Sequence, residues 1–302
     1  MSFEKNIKLL LDEIREYDKK KSIDSHAGKL RIALQVPEGL KTKALEIAEL
    51  LEKENYEIVI LADPCYGACD LRINEAICVG ADIIVHIGHK KFIRDIASKI
   101  PILYIPWKMD ILFDRKEITM LLKGIMEKEI SIASTCQYEE ILPEIKKMLE
   151  NNGKKTKIIG AILGCSGINE KNILFIGSGN FHALPNCSYV LDIEKNELRD
   201  ISREKMLFEK RRYAVIEKAK DADIFGILVS SKPGQFNIDV ARDIKEKLEK
   251  RNKKAFILIM DEITSEKLLG IKADCFINTA CPRILDSMSV INADNINLVF
   301  GK

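Results

Sequence analysis

Residues 30–62 read LRIALQVPEGLKTKALEIAELLEKENYEIVILA. The stretch opens on one apolar run, residues 30–36, and closes on another, residues 58–62. Neither run alternates with polar residues. A strand buried on both faces reads this way, which points to a parallel sheet covered by helices. Between the runs, TKALEIAELLEKENYE has apolar residues at helical spacing, with Thr42 as the candidate N-cap. Parallel neighbours need a crossover connection, and this helix supplies one.

The same grammar recurs along the chain. Two more apolar runs, 83–87 and 102–105, complete a first set of four strands. A second set reads 130–133, 157–163, 173–176 and 189–192, and a third reads 224–229, 255–260, 273–277 and 296–300. In the second set the helix EEILPEIKKMLENNGKK stops at Asn-Asn-Gly, a C-terminal signal. An amphipathic helix with Ile7, Leu10, Leu11 and Ile14 on one stripe precedes everything. The expected fold class is α/β: three similar domains, each a small four-stranded parallel sheet with flanking helices, around a central site. The divisions fall at 1–108, 109–210 and 211–302, near Trp107 and Lys210.

Bulk composition narrows the function classes. The 302 residues carry 48 basic and 46 acidic side chains, a formal net charge of +2. That balance argues against direct nucleic-acid binding or adhesion to a membrane surface. No apolar run approaches the ~20 residues of a membrane span. The first 21 residues lack the apolar core and cleavage site of a signal peptide, so a cytoplasmic protein is expected. In that compartment eight cysteines do not form a disulfide framework. They are left with packing, metal binding or catalysis.

Ligands of open α/β sheets bind beyond the carboxyl ends of the strands. Here those ends carry QVPEGL, STCQYEE and SSKPGQ after the first strands, ADPCYGACD, LGCSG and DEITSE after the second, and HIGHK, IGSGNFHA and NTACPRI after the third. They hold most of the Gly, His, Gln and Cys of the chain. Cys69, Cys165 and Cys281 each occupy a turn-like context, one per repeat. Cys65, four residues before Cys69, is its rival, and Cys136 also sits at a strand end. Cys78, in a helical pattern, and Cys275, within a strand, read as buried hydrophobes, and Cys187 lies in a loop before a strand. No Cys-x2-Cys pair is present, which disfavours a zinc ribbon. Three soft thiolates suit an iron–sulfur cubane with one iron left open.

These segments resemble the archaeal 2-(3-amino-3-carboxypropyl)histidine synthase family, which performs the first step of diphthamide biosynthesis. The matching stretches are Gln35-Val-Pro-Glu-Gly-Leu40, Ala62-Asp-Pro-Cys-Tyr-Gly-Ala-Cys-Asp70, Val85-His-Ile-Gly-His89, Gly164-Cys-Ser166, Phe175-Ile-Gly-Ser-Gly-Asn-Phe-His182 and Asn278-Thr-Ala-Cys-Pro-Arg283. They occur in the family's order and span nearly the whole chain.

The resemblance implies a [4Fe–4S] cluster on Cys69, Cys165 and Cys281, favouring Cys69 over Cys65. It implies transfer of the 3-amino-3-carboxypropyl group of S-adenosylmethionine to a histidine of translation elongation factor 2. The reduced cluster supplies one electron, the methionyl Cγ–S bond breaks, and an aminocarboxypropyl radical adds to the imidazole while methylthioadenosine leaves. An electron donor and a homodimer are implied too. No general base stands out.

The same strand ends supply candidate substrate contacts. Gly177, Ser178 and Gly179 form a glycine turn suited to close approach by a nucleoside or carboxylate. His89 and His182 end strands. Gln35, Glu38, Gln137 and Gln235 lie at or just after first strands, placed to grip adenine, ribose or the amino acid. Arg283 is the candidate partner of the methionyl carboxylate, with an ordinary salt bridge as the plainer alternative. The rival readings are a quinolinate synthase-like [4Fe–4S] dehydratase, also built from three α/β domains, and a non-catalytic redox sensor. Polar strand ends in all three repeats argue against the sensor.

Overall fold

The structure, a computed structural model, describes residues 2–21, 28–91, 96–163, 165, 168–179, 182–183, 186–287 and 290–301. Its contacts group the chain into two units, Met1–Leu112 with Cys136–Tyr138, and Phe113–Thr135 with Glu139–Lys302.

The first unit holds one sheet. Its strands are β1 (Arg31–Gln35), β2 (Glu57–Leu61), β3 (Ile83–Ile87) and β4 (Ile102–Ile105), in the order β2-β1-β3-β4 and all parallel. The chain steps from β1 to β2 on one side, then returns past β1 to place β3 on the other. A crevice opens at such a reversal, beyond the carboxyl ends of β1 and β3. One face of the sheet packs under helix α1 (Ser2–Lys21), whose Leu10 and Ile14 bury against Ile32 and Leu34. The other face buries Ala33 and Ile84 with Leu71, Ile73 and Ala76, the last two from helix α3 (Ile73–Cys78). Burial on both faces explains the continuous apolar runs, and each fully buried Leu or Ile contributes about 2 kcal/mol.

The second unit holds two sheets of the same order. One comprises β5 (Glu129–Ser134), β6 (Lys155–Ala161), β7 (Ile173–Ile176), β8 (Tyr189–Asp192) and β9 (Glu197–Asp200), arranged β6-β5-β7-β8-β9. The other comprises β10 (Ile224–Ser230), β11 (Lys254–Met260), β12 (Cys275–Asn278) and β13 (Val290–Asn292), arranged β11-β10-β12-β13. Helix α5 (Leu142–Asn151) follows β5 and α7 (Ile238–Glu249) follows β10, as the periodicity predicts. Gly226 in β10 has a steric reason, because a Cβ there would lie 2.6 Å from Phe276 Cδ1 on the neighbouring strand.

Four sequence readings need correction. The second sheet has a fifth strand, β9, antiparallel to β8. Its Glu-Leu-Arg-Asp sequence has no apolar run, because an edge strand half in solvent needs none. Residues Ile296–Phe300, expected as a strand, form helix α9, and the preceding Val290–Asn292 is the strand instead. Ile296 and Val299 are buried while Leu298 is exposed, the i, i+3 spacing that so short a run does not separate from a strand. Thr42 caps nothing. The chain enters α2 (Ala44–Lys53) through a 3₁₀ turn, Glu38–Lys43, whose Lys41 carbonyl accepts from the Ala44 N–H. Cys78, expected in the core, is exposed at the end of α3.

Candidate metal and substrate site

The polar residues at the ends of β1, β2 and β3 form one connected group. Gln35 closes β1, is fully buried, and is paired in register with His86 of β3. Its Nε2 donates to the carbonyl of Asp70 at 2.7 Å, which turns its Oε1 toward the amide of Arg72 and His86 Nδ1, both at 3.4 Å. The loop between β2 and α3 is thereby tied to the sheet. Asp70, also fully buried, accepts from the Tyr66 amide at 3.4 Å and faces the Arg72 guanidinium at 3.8 Å. The same Arg72 nitrogen, Nη2, donates to the carbonyl of Pro64 at 3.4 Å. These contacts hold the Cys65–Cys69 turn from both ends. Cys69 is half-buried, and a side chain at Gly67 would rest 3.7 Å from its sulfur.

His86 Nε2 lies 3.0 Å from His89 Nδ1. Burial, with a smaller contribution from His89, pushes His86 down to about 3, so its imidazole is neutral near pH 7. Between the two histidines, Gly88 turns the chain at φ +96°, and an added Cβ would lie 2.7 Å from Pro37 Cγ, so only glycine fits. Its carbonyl accepts from Cys136 Sγ at 3.3 Å and Gln137 Nε2 at 2.8 Å. Gln35, His89 and Gln137 are thus brought together through His86 and Gly88. Glu38 is not among them; it lies exposed and pairs with Lys41 at 2.7 Å. Among the described residues, Cys65, His86 and His89 form a cysteine–histidine group whose ligand atoms all lie within 4.8 Å of one another.

In the second unit, Cys165 is exposed in the loop after β6; Gly164 and Ser166 beside it lie outside the described residues. Gly177, just past β7, has φ +151°, and exposed Ser178 and Gly179 at φ +69° follow it. His182 is held below the usual imidazole range, first by burial and then by the charge of Arg283. Arg283 itself is buried, with its guanidinium 5.6 Å from the centre of the Phe208 ring.

Cys281 is half-buried, and its loop is pinned by two asparagines that sequence reasoning did not single out. Asn278 Nδ2 donates to the Cys281 carbonyl at 2.8 Å and to Asn292 Oδ1 at 2.9 Å, while its Oδ1 accepts from the Ala280 amide at 2.9 Å. Asn292 Nδ2 in turn donates to the Pro282 carbonyl at 3.1 Å. Gln235 sits half-buried after β10, where Asn237 Nδ2 links its carbonyl, at 3.2 Å, to that of Thr279, at 2.6 Å. Replacing Asn278 by alanine is expected to cost about 2 kcal/mol in urea denaturation, because it strands buried acceptors and donors at once. A cost near zero would mean that the Cys281 loop is held by other means.

The remaining thiols divide cleanly. Burial pushes Cys187 and Cys275 each up to about 12, which makes them inert core groups, and Cys78 stands apart on the surface. Cys69, Cys165 and Cys281 are the three at least partly exposed thiols on loops that follow parallel strands. Each of the three carries a soft thiol of the type that ligates iron–sulfur clusters.

Comparison with known proteins follows the same lines. The family model for diphthamide synthesis proteins matches residues 36–288. The chain belongs to the diphthamide synthesis protein family. The 2-(3-amino-3-carboxypropyl)histidine synthase of Pyrococcus horikoshii is 32% identical over 280 residues, covering 85% of this chain and 80% of that protein. The synthase of Methanocaldococcus jannaschii is 30% identical over 282 residues, with coverages of 84% and 78%. The crystal structure of Dph2 from P. horikoshii aligns over 95% of this chain and 89% of its own, with a TM-score of 0.77 and 29% identity. A second crystal structure of that protein, with a 4Fe–4S cluster, aligns over 94% of this chain with the same TM-score of 0.77. The α/β architecture of three sheets, each with parallel strands in the same order, is therefore that of this family. Among the described residues, no helix is long and apolar enough to cross a membrane.

Proposed function

We propose that this chain transfers the 3-amino-3-carboxypropyl group of S-adenosylmethionine to a histidine of translation elongation factor 2, the first step of diphthamide biosynthesis. The observation that carries this reading is the match to a synthase of that name over four-fifths or more of both chains. The proposed ligands of a [4Fe–4S] cluster are Cys69, Cys165 and Cys281, one from each of three domains taken as 1–108, 109–210 and 211–302. When bound and reduced, the cluster supplies the electron that cleaves the methionyl Cγ–S bond.

The chain's own residues bind and orient. Arg283, buried beside His182, offers a guanidinium to the methionyl carboxylate. Ser178 and Gly179 present backbone N–H groups, and the positive φ angles of Gly177 and Gly179 let a nucleoside or carboxylate approach closely, while the Gly177 N–H donates to the Leu191 carbonyl at 3.1 Å. Gln137 and His89, linked through Gly88, and Gln235 are further contacts for adenine, ribose or the amino acid. Gln35 acts from behind, holding His86 and the Cys69 loop. Glu38, exposed and paired with Lys41, stands apart from this group. The reaction also needs an electron donor and the protein substrate, and a homodimer in the cytoplasm is the proposed working form.

The test is transfer of label from carboxyl-labelled S-adenosylmethionine to archaeal elongation factor 2, under dithionite and without oxygen. Labelled factor together with methylthioadenosine is the expected result. Release of 5′-deoxyadenosine in its place would refute the proposed bond cleavage. Formation of quinolinate from dihydroxyacetone phosphate and iminoaspartate would establish the dehydratase instead.

A further inference from the structure

We propose that Cys65, His86 and His89 form a second metal site, wholly within the first unit, that takes one zinc-class divalent ion. It goes beyond the transferase reading and does not depend on it. The three donors come from two places that the chain brings together: Cys65 from the loop after β2, and the two histidines from the end of β3. Their ligand atoms lie within 4.8 Å of one another, and Cys65 and His86 are buried. One thiolate and two imidazoles form a borderline donor set of the kind zinc prefers.

The hydrogen bonds around His86 determine which ring nitrogen carries its proton. Gln35 Nε2 donates to the Asp70 carbonyl at 2.7 Å, so the amide cannot be reversed without setting an oxygen against an oxygen. The group facing His86 Nδ1 is therefore Gln35 Oε1, which only accepts. His86 Nδ1 must carry the hydrogen, and Nε2 must carry the lone pair. Histidines that bind metals are oriented this way, with the far N–H held by an oxygen acceptor. His86 Nε2 points at His89 Nδ1, 3.0 Å away. In a tetrahedral zinc site, bond lengths of about 2.1 Å to nitrogen and 2.3 Å to sulfur put the two nitrogens ~3.4 Å apart and nitrogen and sulfur ~3.6 Å apart. The histidine pair needs to open by only a few tenths of an ångström. The sulfur, within 4.8 Å of the nitrogens, needs to close by at most ~1.2 Å on the same geometry, from a loop turn.

An ion here would have a structural consequence. Cys65 and Cys69 bracket Tyr66-Gly67-Ala68, so an ion on Cys65 would fasten the Cys69 turn to β3. The fourth position would be left to water, as in zinc sites with three protein ligands.

The test equilibrates the anaerobically purified, iron-loaded chain with micromolar zinc, then measures zinc and iron in the same sample and the zinc X-ray absorption fine structure. About one zinc per chain is expected, with iron unchanged and a shell of one sulfur and two imidazole nitrogens. Cys65→Ser and His89→Gln should each weaken retention at least ~10-fold while the iron stays, and Gln35→Leu should weaken it ~10-fold through the lost orientation of His86. Cys69→Ala should lose iron and keep zinc, which separates failure of this site from failure of the cluster assignment. The proposal is overturned if the wild-type chain retains no zinc, if zinc persists unchanged in both Cys65→Ser and His89→Gln, or if zinc enters only as iron leaves. Circular dichroism of each variant excludes misfolding as the cause of a loss.

Discussion

Alanine at Cys69, Cys165 or Cys281 is expected to leave the anaerobically purified chain nearly colourless, with iron falling from about four per chain to well under one. The magnitude follows from the number of ligands. A cubane held by three thiolates has no redundancy, and losing one leaves two irons open to solvent. Alanine at Cys78, Cys187 or Cys275 should leave iron unchanged, because the first lies on the surface and the other two thiols are held protonated in the core. Iron and sulfide analysis together with the visible spectrum read the outcome. Full iron in any one of the three single variants would remove that cysteine from the ligand set. Loss of iron in Cys65→Ser alongside full iron in Cys69→Ala would transfer the assignment to Cys65.

Arg72→Met should destabilise the chain by about 3 kcal/mol in urea denaturation, since it leaves the Asp70 carboxylate buried without its cation. Methionine keeps most of the side-chain volume, so the loss reports charge more than packing. The double variant Asp70→Asn with Arg72→Met should recover a large part of it, because the uncompensated charge is then gone. The same change frees the Pro64 carbonyl and loosens the turn that carries Cys65 and Cys69. Iron loading of Arg72→Met should therefore be lower than that of the parent. A cost below about 1 kcal/mol would mean that Gln35 alone anchors the loop.

Much of this arrangement was legible in advance. Continuous apolar runs such as Ile83–Ile87 identify buried parallel strands, because both faces of each strand must be apolar. Positions just past those runs identified the loops carrying Cys69, Cys165 and Cys281. The elements misread are the ones whose local signal is weak. β9 sits half-exposed at an edge and carries polar residues. Five apolar-rich residues at Ile296–Phe300 suit a strand and a helix equally until packing chooses. His86 was visible as a polar residue inside an apolar strand, yet only His89 was singled out.

The sequence by itself determined the fold class, the repeated alternation of strand and helix, and the family, because periodicity and local motifs are properties of neighbouring residues. Tertiary structure alone decided the polar wiring. Gln35 meets His86 because β1 and β3 are neighbours, although 51 residues separate them. Arg283 lowers His182 across about a hundred residues, and Asn278 reaches Asn292 only because β12 and β13 run side by side. Such contacts form between residues far apart in the chain, and their partners are chosen by burial: a polar side chain taken out of water must find whatever donor or acceptor the neighbouring strand presents.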